Sequence, residues 1–182
     1  MLKIKRIACQ LGNTDGAEIA EAALVLPLVF MLLLGAVWFG RAFNIYSTIQ
    51  QAAQQGAITA ARASCATCPS GNTFPQPAAV DAVVAAVMQA SNLSPSQIPA
   101  SLAPSQPPCQ PPAPPGGACT ATGNNIWVCQ NVQLNPTAGA TQPQQCGTVV
   151  SFQYPFQFYL PFTSLNMQNI TLSAQAQSRM EN

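Results

Sequence analysis

The feature that most constrains this chain is an uncharged apolar run of nineteen residues, from Ala22 to Gly40. A helix needs about 20 apolar residues to cross a hydrocarbon core of about 30 Å. The run therefore predicts a transmembrane segment over residues 22–40. It is longer than the apolar core of an ordinary secretory signal, and no clear small-x-small cleavage site follows it. Removal by signal peptidase is accordingly the less favoured interpretation.

The basic residues near the run predict its orientation. Lys3, Lys5 and Arg6 precede it, and Arg41 alone follows it. Basic residues beside a membrane helix favour the cytoplasmic side. Because three charges oppose one, we expect a cytoplasmic N-terminus and an exported C-terminal region.

Ionisable groups are scarce in this sequence. Its 182 residues include six Lys or Arg, five Asp or Glu and no His, with a formal net charge of +1. Nucleic-acid binding needs a basic footprint, while acid–base catalysis and most metal sites draw on the residues that are rare here. We therefore predict that the protein is not an enzyme, uses no cofactor or metal and binds no nucleic acid. The acids are Asp15, Glu18, Glu21, Asp81 and Glu181.

The cysteines agree with export of the C-terminal region. One of the seven, Cys9, precedes the membrane segment, and the other six follow it. An even set in an oxidising compartment predicts disulfides, but it does not define their pairing. Cys65 and Cys68 have the spacing of a redox or zinc motif, yet no βαβ pattern or histidine accompanies them, so a structural bridge is favoured. The predicted disulfide set is Cys65, Cys68, Cys109, Cys119, Cys129 and Cys146.

Helical character continues beyond the membrane segment as far as Ser64. Small residues recur there at three- and four-residue spacing, which places them on one helix face. Such a face lets another backbone approach closely. It packs either on the protein's own sheet or between subunits, and the sequence leaves both interpretations open. The face consists of Ile49, Ala52, Ala53, Gly56, Ala57 and Ala60.

The remainder predicts a short helix within residues 78–92, a proline-rich loop over residues 94–117, and strands. The segment "NIWVCQNVQL" fits either a strand pair or one bent strand. Alternation in "GTVVSFQYPFQFYLPF" and "NITLSAQAQSRM" predicts two more strands, with Pro155 at an edge or bulge. In the second, Ile170, Leu172, Ala174 and Ala176 are expected to face inward. The predicted fold is α+β: a long N-terminal helix, half transmembrane and half projecting, packed on a small antiparallel sheet and stapled by disulfides.

The N-terminal third resembles a known family. The hexapeptide "GAEIAE" at residues 16–21 is followed by "ALVLP", a leucine-rich run, "FGR" and an alanine-rich helix. This pattern resembles the TadE family of pilin-like proteins, which belongs to the tight-adherence (Flp pilus) systems of bacteria. The resemblance covers Gly16 to about Arg62 well and the last dozen residues loosely. The chain departs from it at Ala22, where relatives often carry an aromatic residue, and at Trp38–Phe39, where many carry an acid.

The resemblance implies a processing site. A prepilin peptidase would cut after Gly16, on the cytoplasmic side, and make Ala17 the first residue of the mature chain. Glu21 would then stand at mature position five, where pilin-like proteins carry a glutamate that meets the terminal amine of a neighbouring subunit. Glu18 has no matched role. The implied parts are a leader, 1–16, a long helix, 17–64, and an exported cysteine-containing domain, 65–182.

The resemblance also implies a function. The chain is longer than a processed major Flp pilin and so resembles a minor pilin or pseudopilin with a structural role in pilus biogenesis and adherence. The expected partners are prepilin peptidase, other pilin and pseudopilin subunits, the inner-membrane Tad assembly machinery and membrane lipid. The expected location is the bacterial inner membrane, with the C-terminal domain in the periplasm, or outside the cell within the pilus. The alternative is an uncleaved, membrane-anchored envelope binding protein or adhesin.

Overall fold

The computed structural model describes six parts of the chain, and the chain divides into two compact units, Met1–Ala42 and Phe43–Asn182. Several predicted features lie outside the described residues: positions 1–13 of the leader, Cys65, Cys68, and positions 110–117 of the proline-rich loop. The described residues are 14–62, 74–109, 119–135, 143, 145–157 and 170–180.

Two α-helices and one short 3-10 helix occur among the described residues. Helix α1 covers Thr14–Ala61, close to the predicted 17–64, and helix α2 covers Pro77–Ala90. Proline suits the first position of α2 because an N–H group at that position would have no acceptor within the helix. Asn92, two residues after the end of α2, has a left-handed backbone conformation with φ of 58°. The backbone N–H of Asn92 donates to the carbonyl oxygen of Gln89, and the backbone N–H of Leu93 donates to that of Met88. This is the pattern of a Schellman cap. The 3-10 helix Pro95–Gln97 follows.

The strands form one antiparallel sheet in the order β1-β2-β3-β4, which confirms the predicted α+β class. The strands are β1 (Cys119–Ala121), β2 (Trp127–Gln133), β3 (Cys146–Phe156) and β4 (Ile170–Arg179). Of the two interpretations of "NIWVCQNVQL", the structure has the single bent strand. Its register with β3 shifts between Cys129 and Val132, where Asn131 has a φ of 54°. The three-residue β1 is too short to leave an alternating pattern, and the sequence did not predict it.

The predicted alternation holds in β3, where Val150, Phe152, Tyr154 and Phe156 are all buried. Pairing of β3 with β2 ends at Ser151, while pairing with β4 continues through Phe156. Pro155 therefore lies where the described strands pair with β3 on one side only, which is the position that a proline tolerates.

Strand β4 follows the predicted alternation except at its first residue. Ala174 and Ala176 are buried and Leu172 is partly buried. Ile170 was expected to face inward, but it is 45% exposed. It begins β4, the last strand in the order of the described sheet, and pairs with Phe156 at the final position of β3.

The main core lies between the helices and one face of the sheet. The whole small-residue face of α1 is buried there, with Gly56 packed against Val84 of α2 and Val150 of β3. The Thr148 hydroxyl donates a hydrogen bond of 3.1 Å to the carbonyl oxygen of Ala57, so this buried polar side chain is satisfied. Of the two interpretations of that face, the structure has the one in which it packs within its own domain.

Two disulfides occur in the described part of the second unit. Cys119–Cys129 joins directly opposed residues of β1 and β2, and Cys109–Cys146 joins the end of the described proline-bearing segment to the start of β3. The other face of the sheet is covered by a smaller cluster around Cys129, Val132 and Val149. Beyond β1, the backbone of Pro107 and Cys109 hydrogen-bonds with β2 at 2.8 and 2.9 Å. The disulfide-held segment therefore satisfies part of the β2 edge.

Replacing Gly56 by alanine should destabilise the second unit. A Cβ atom at this position would lie 2.7 Å from Cγ2 of Val84, with Val150 and Val80 close behind at 3.4 and 3.5 Å. Overpacking of this kind costs about 1–3 kcal/mol, and the higher helix propensity of alanine offsets about 1 kcal/mol of that cost. Denaturant unfolding of the full chain in detergent measures the change in the free energy of unfolding.

The matched control is Gly123→Ala. A Cβ at Gly123 meets nothing within 4 Å, so the unfolding free energy should stay within about 0.5 kcal/mol of the natural chain. Equal stability of the two variants would contradict the close packing of α1 on α2.

Candidate membrane anchor and its N-terminal polar segment

The first unit of the chain carries an apolar surface that nothing in the described structure covers. Helix α1 exposes a continuous series of large apolar side chains, each at least 49% accessible. Six of them are consecutive, and six residues at 100° each pass fully around a helix. The series within residues 24–39 is Leu24, Val25, Leu26, Leu28, Val29, Phe30, Met31, Leu32, Leu33, Val37 and Phe39.

A helix that is apolar all round is stable only inside a large core or a membrane. Glu18–Ala61 is long and apolar enough to cross a membrane, and its most apolar window has no residue buried. Among the described residues it is the one helix that meets this test of length and composition. A single-pass membrane anchor is consistent with this surface.

A short polar segment begins the same helix. Gly16, Glu18 and Glu21 are all exposed, and a Cβ added to Gly16 would meet nothing within 4 Å. The peptide bond between Gly16 and Ala17 lies in the first turn, because α1 begins at Thr14. First-turn N–H groups have no acceptor within the helix, and glycine lowers helix stability by about 1 kcal/mol relative to alanine. Both properties favour local opening of this turn.

The two glutamates share one side of the helix. Residues three apart differ by 60° around the axis, so Glu18 and Glu21 are neighbours on the surface. Like charges at this spacing repel slightly, while the helix macrodipole stabilises negative charge near an N-terminus. Neither carboxylate is buried, and both are free to meet a group from another molecule.

The remaining predicted site residues lie in the second unit. Four of the predicted cysteines form the two disulfides: Cys109, Cys119, Cys129 and Cys146. The structure does not describe Cys65 and Cys68. Asp81, the one acid that the structure describes in this unit, accepts hydrogen bonds of 3.1 Å from the side-chain amide of Asn124 on both carboxylate oxygens. Over the described ranges, no three His, Cys, Asp or Glu side chains gather in a way that could hold a metal ion.

Sequence reasoning missed two features. The Arg41 guanidinium carbon lies 5.6 Å from the centre of the Trp38 ring, and the three-residue spacing on a helix is the signal that could have found it. A cavity of about 230 Å³ includes Tyr46 and Gln50 in its lining. The Gln50 amide donates to the carbonyl oxygen of Ser173, 123 residues away, at 3.3 Å. No local pattern foretells a contact over that separation.

Comparison with known proteins gives one finding. A family model described as "TadE-like protein" matches residues 16–57, which confirms the resemblance predicted from the sequence. The matched range contains the exposed glycine, both glutamates, the entire apolar surface and most of the small-residue face. No curated protein and no solved structure matches the chain.

Two lysines at the centre of the apolar surface should abolish stable membrane association. Met31 and Leu32 are 65% and 72% exposed, so the double variant Met31→Lys, Leu32→Lys removes little packing within the protein. Each lysine costs about 3 kcal/mol at the centre of a membrane helix. Alkaline carbonate extraction of membranes should release this variant and leave the natural chain in the pellet.

The control exchanges the same positions without charge, as Met31→Leu, Leu32→Met, and should stay in the membrane fraction. Retention of the double lysine variant would show that the apolar surface is not the anchor.

Proposed function

Because residues 16–57 of this chain are TadE-like, we propose that the protein is a minor pilin or pseudopilin of a Tad (Flp) pilus system. The TadE-like family consists of pilus-associated structural proteins with a membrane-anchoring helix. The observation that carries the proposal is the coincidence, within one matched segment, of an exposed Gly16, an exposed Glu21 and an apolar helix surface. Its partners are the other pilin-like subunits and the inner-membrane assembly machinery.

The proposed arrangement is a single-pass inner-membrane protein. Residues 22–40 cross the membrane, residues 1–16 form a cytoplasmic leader and residues 65–182 form a periplasmic domain, which moves outside the cell if the subunit enters a pilus. The two disulfides of the second unit support an oxidising location for that domain, because such bonds do not persist in a reducing cytoplasm. The three basic residues before the run support the orientation.

Processing takes place after Gly16 in this proposal. A protease active site binds extended backbone, so the first helical turn must open before cleavage. Glycine weakens the helical turn and so favours its opening. Because glycine has no side chain, its backbone can enter a narrow active site. Removal of the leader leaves 182 − 16 = 166 residues, with a new amine on Ala17.

Glu21 then provides an assembly contact. It lies four residues after the new amine, on a helix surface that is exposed in the single chain. When subunits leave the membrane and pack their apolar helices together, an unpaired carboxylate in that interior is costly. Pairing with the Ala17 amine of a neighbouring subunit offsets that cost and selects the correct axial offset between subunits.

Intact mass spectrometry of the protein from its native membranes tests the processing step. The natural chain should lack residues 1–16. Gly16→Ile should keep the leader, because a bulky side chain beside the bond does not enter a narrow site that accepts glycine. A Cβ atom added at Gly16 meets no atom within 4 Å, so the new side chain starts in open space.

Gly35→Ile is the matched control, since a Cβ at Gly35 also meets nothing within 4 Å and this glycine lies away from the bond. It should be processed normally. Full-length natural chains in cells with an active prepilin peptidase would favour the alternative, an uncleaved envelope binding protein or adhesin.

Glu21→Ala should leave the anchored protein at its normal level and lower its incorporation into pili by about tenfold or more. A hydrogen bond to a charged group contributes about 1.5–3 kcal/mol, and 1.4 kcal/mol corresponds to a factor of ten. Quantitative immunoblots of sheared pili and of membranes give the ratio. Glu18→Ala, three residues earlier on the same side, should incorporate normally. Equal behaviour of the two variants would remove the proposed role of Glu21.

A further inference from the structure

Trp38 and Arg41 form a pair near the C-terminal end of the apolar surface. The guanidinium of Arg41 lies over the indole at 5.6 Å. Trp38 is only partly exposed, whereas its neighbours Val37 and Phe39 are 69% and 73% exposed. Arginine stacked on an aromatic ring is held in place while its outer N–H groups stay free to donate.

The charge of Arg41 has no acidic neighbour in the sequence. It is the one formal charge between Glu21 and Arg62, and no acid occurs between Glu21 and Asp81. The carboxylate of Asp81 is already engaged by Asn124. None of the acids whose side chains the structure describes is therefore placed to pair with Arg41, and an anion from outside the chain can do so.

The spacing of the charges places that counter-charge in a membrane surface. Glu21 and Arg41 are 20 residues apart on one helix, which is about 30 Å, the thickness of a hydrocarbon core. With Glu21 at the cytoplasmic interface, Arg41 lies at the opposite headgroup level and Trp38 one turn inside it, where tryptophan concentrates in membrane proteins.

We propose that Trp38 and Arg41 bind the phosphate of a phospholipid headgroup in the outer leaflet of the membrane, and so fix the depth of the helix. The inference rests on the anchor of the proposed function. The planar guanidinium donates two parallel hydrogen bonds to a phosphate. The acids of a second copy in the same orientation, Glu18 and Glu21, lie at the other membrane surface, which leaves the lipid phosphate as the partner within reach.

The contact has a specific consequence for depth. Without the charge of Arg41, the apolar run would continue through Ala42 and Phe43 and stop at Asn44. The helix could then slide by three residues, about 5 Å or nearly one turn. A fixed depth keeps Glu21 and the preceding Gly16 at the cytoplasmic surface.

The test measures the depth of Trp38 in the full chain, in vesicles containing lipids brominated at known depths. Trp127→Phe leaves Trp38 as the single tryptophan. In phosphatidylcholine, bromines near the headgroup should quench Trp38 best. Arg41→Met in the same vesicles should move Trp38 about 5 Å deeper. The unchanged pair in vesicles of neutral digalactosyl lipid should move by less than this, because the phosphate partner is lost while the charge of Arg41 still opposes burial. Arg41→Lys should keep most of the original depth, and Arg62→Met should keep all of it.

Free phosphate added to galactolipid vesicles should not restore the shallow position. A second measurement does not depend on Trp127: in the natural chain with labelled arginine, ³¹P should dephase one guanidinium signal that Arg41→Met removes. Equal depth in all samples, with no phosphorus contact, would overturn the inference while the anchor stands. A depth that changes with protein density would assign the counter-charge to a second copy and also overturn it. Absence of quenching by every brominated lipid would overturn the anchor itself.

Discussion

The constraint on which the rest of this structure depends is the apolar circumference of helix α1 between Leu24 and Phe39. A helix with one apolar stripe can bury it against a domain, but a helix that is apolar on every side needs apolar surroundings all round. The described structure supplies none for this segment. A membrane or a bundle of apolar helices can supply them. Charged residues near the ends of the segment then lie at the boundary of these apolar surroundings.

After Phe43 the same helix packs against other elements of the protein. There it presents alanine and glycine, and these small residues permit close approach to α2 and the sheet. Gly56 meets Val84 and Val150 at distances that leave no room for a methyl group. One helix therefore carries two kinds of surface. Its side chains are large where the described structure leaves them exposed, and small where the helix packs in the core. The TadE-like match ends at residue 57 and so spans both surfaces.

Stability of the second unit owes little to ion pairs, because the sequence has almost no charges beyond Arg62. Disulfides and side-chain amides take their place. The Gln130 amide reaches the carbonyl oxygen of Pro75, the Asn125 amide that of Ile98, and the Trp127 indole that of Ser101, all at 2.8 to 2.9 Å. Loops rich in proline have few N–H groups, so their carbonyl oxygens need donors from elsewhere, and the sheet supplies them. These contacts cross long sequence separations and leave no local signal.

The sequence by itself determined the elements whose cause is local. The apolar run, the small-residue face of α1 and the alternation of β3 follow from periodicity, and the TadE-like resemblance follows from the order of motifs in residues 16–57. The tertiary structure decided which cysteines pair, that β2 bends as one strand, that Ile170 is left exposed at a sheet edge and that the alanine face packs within its own domain. The physical reason is range: helix and strand periods are set by neighbours a few residues apart. A disulfide, a strand register or a helix-to-sheet contact depends instead on where distant segments meet.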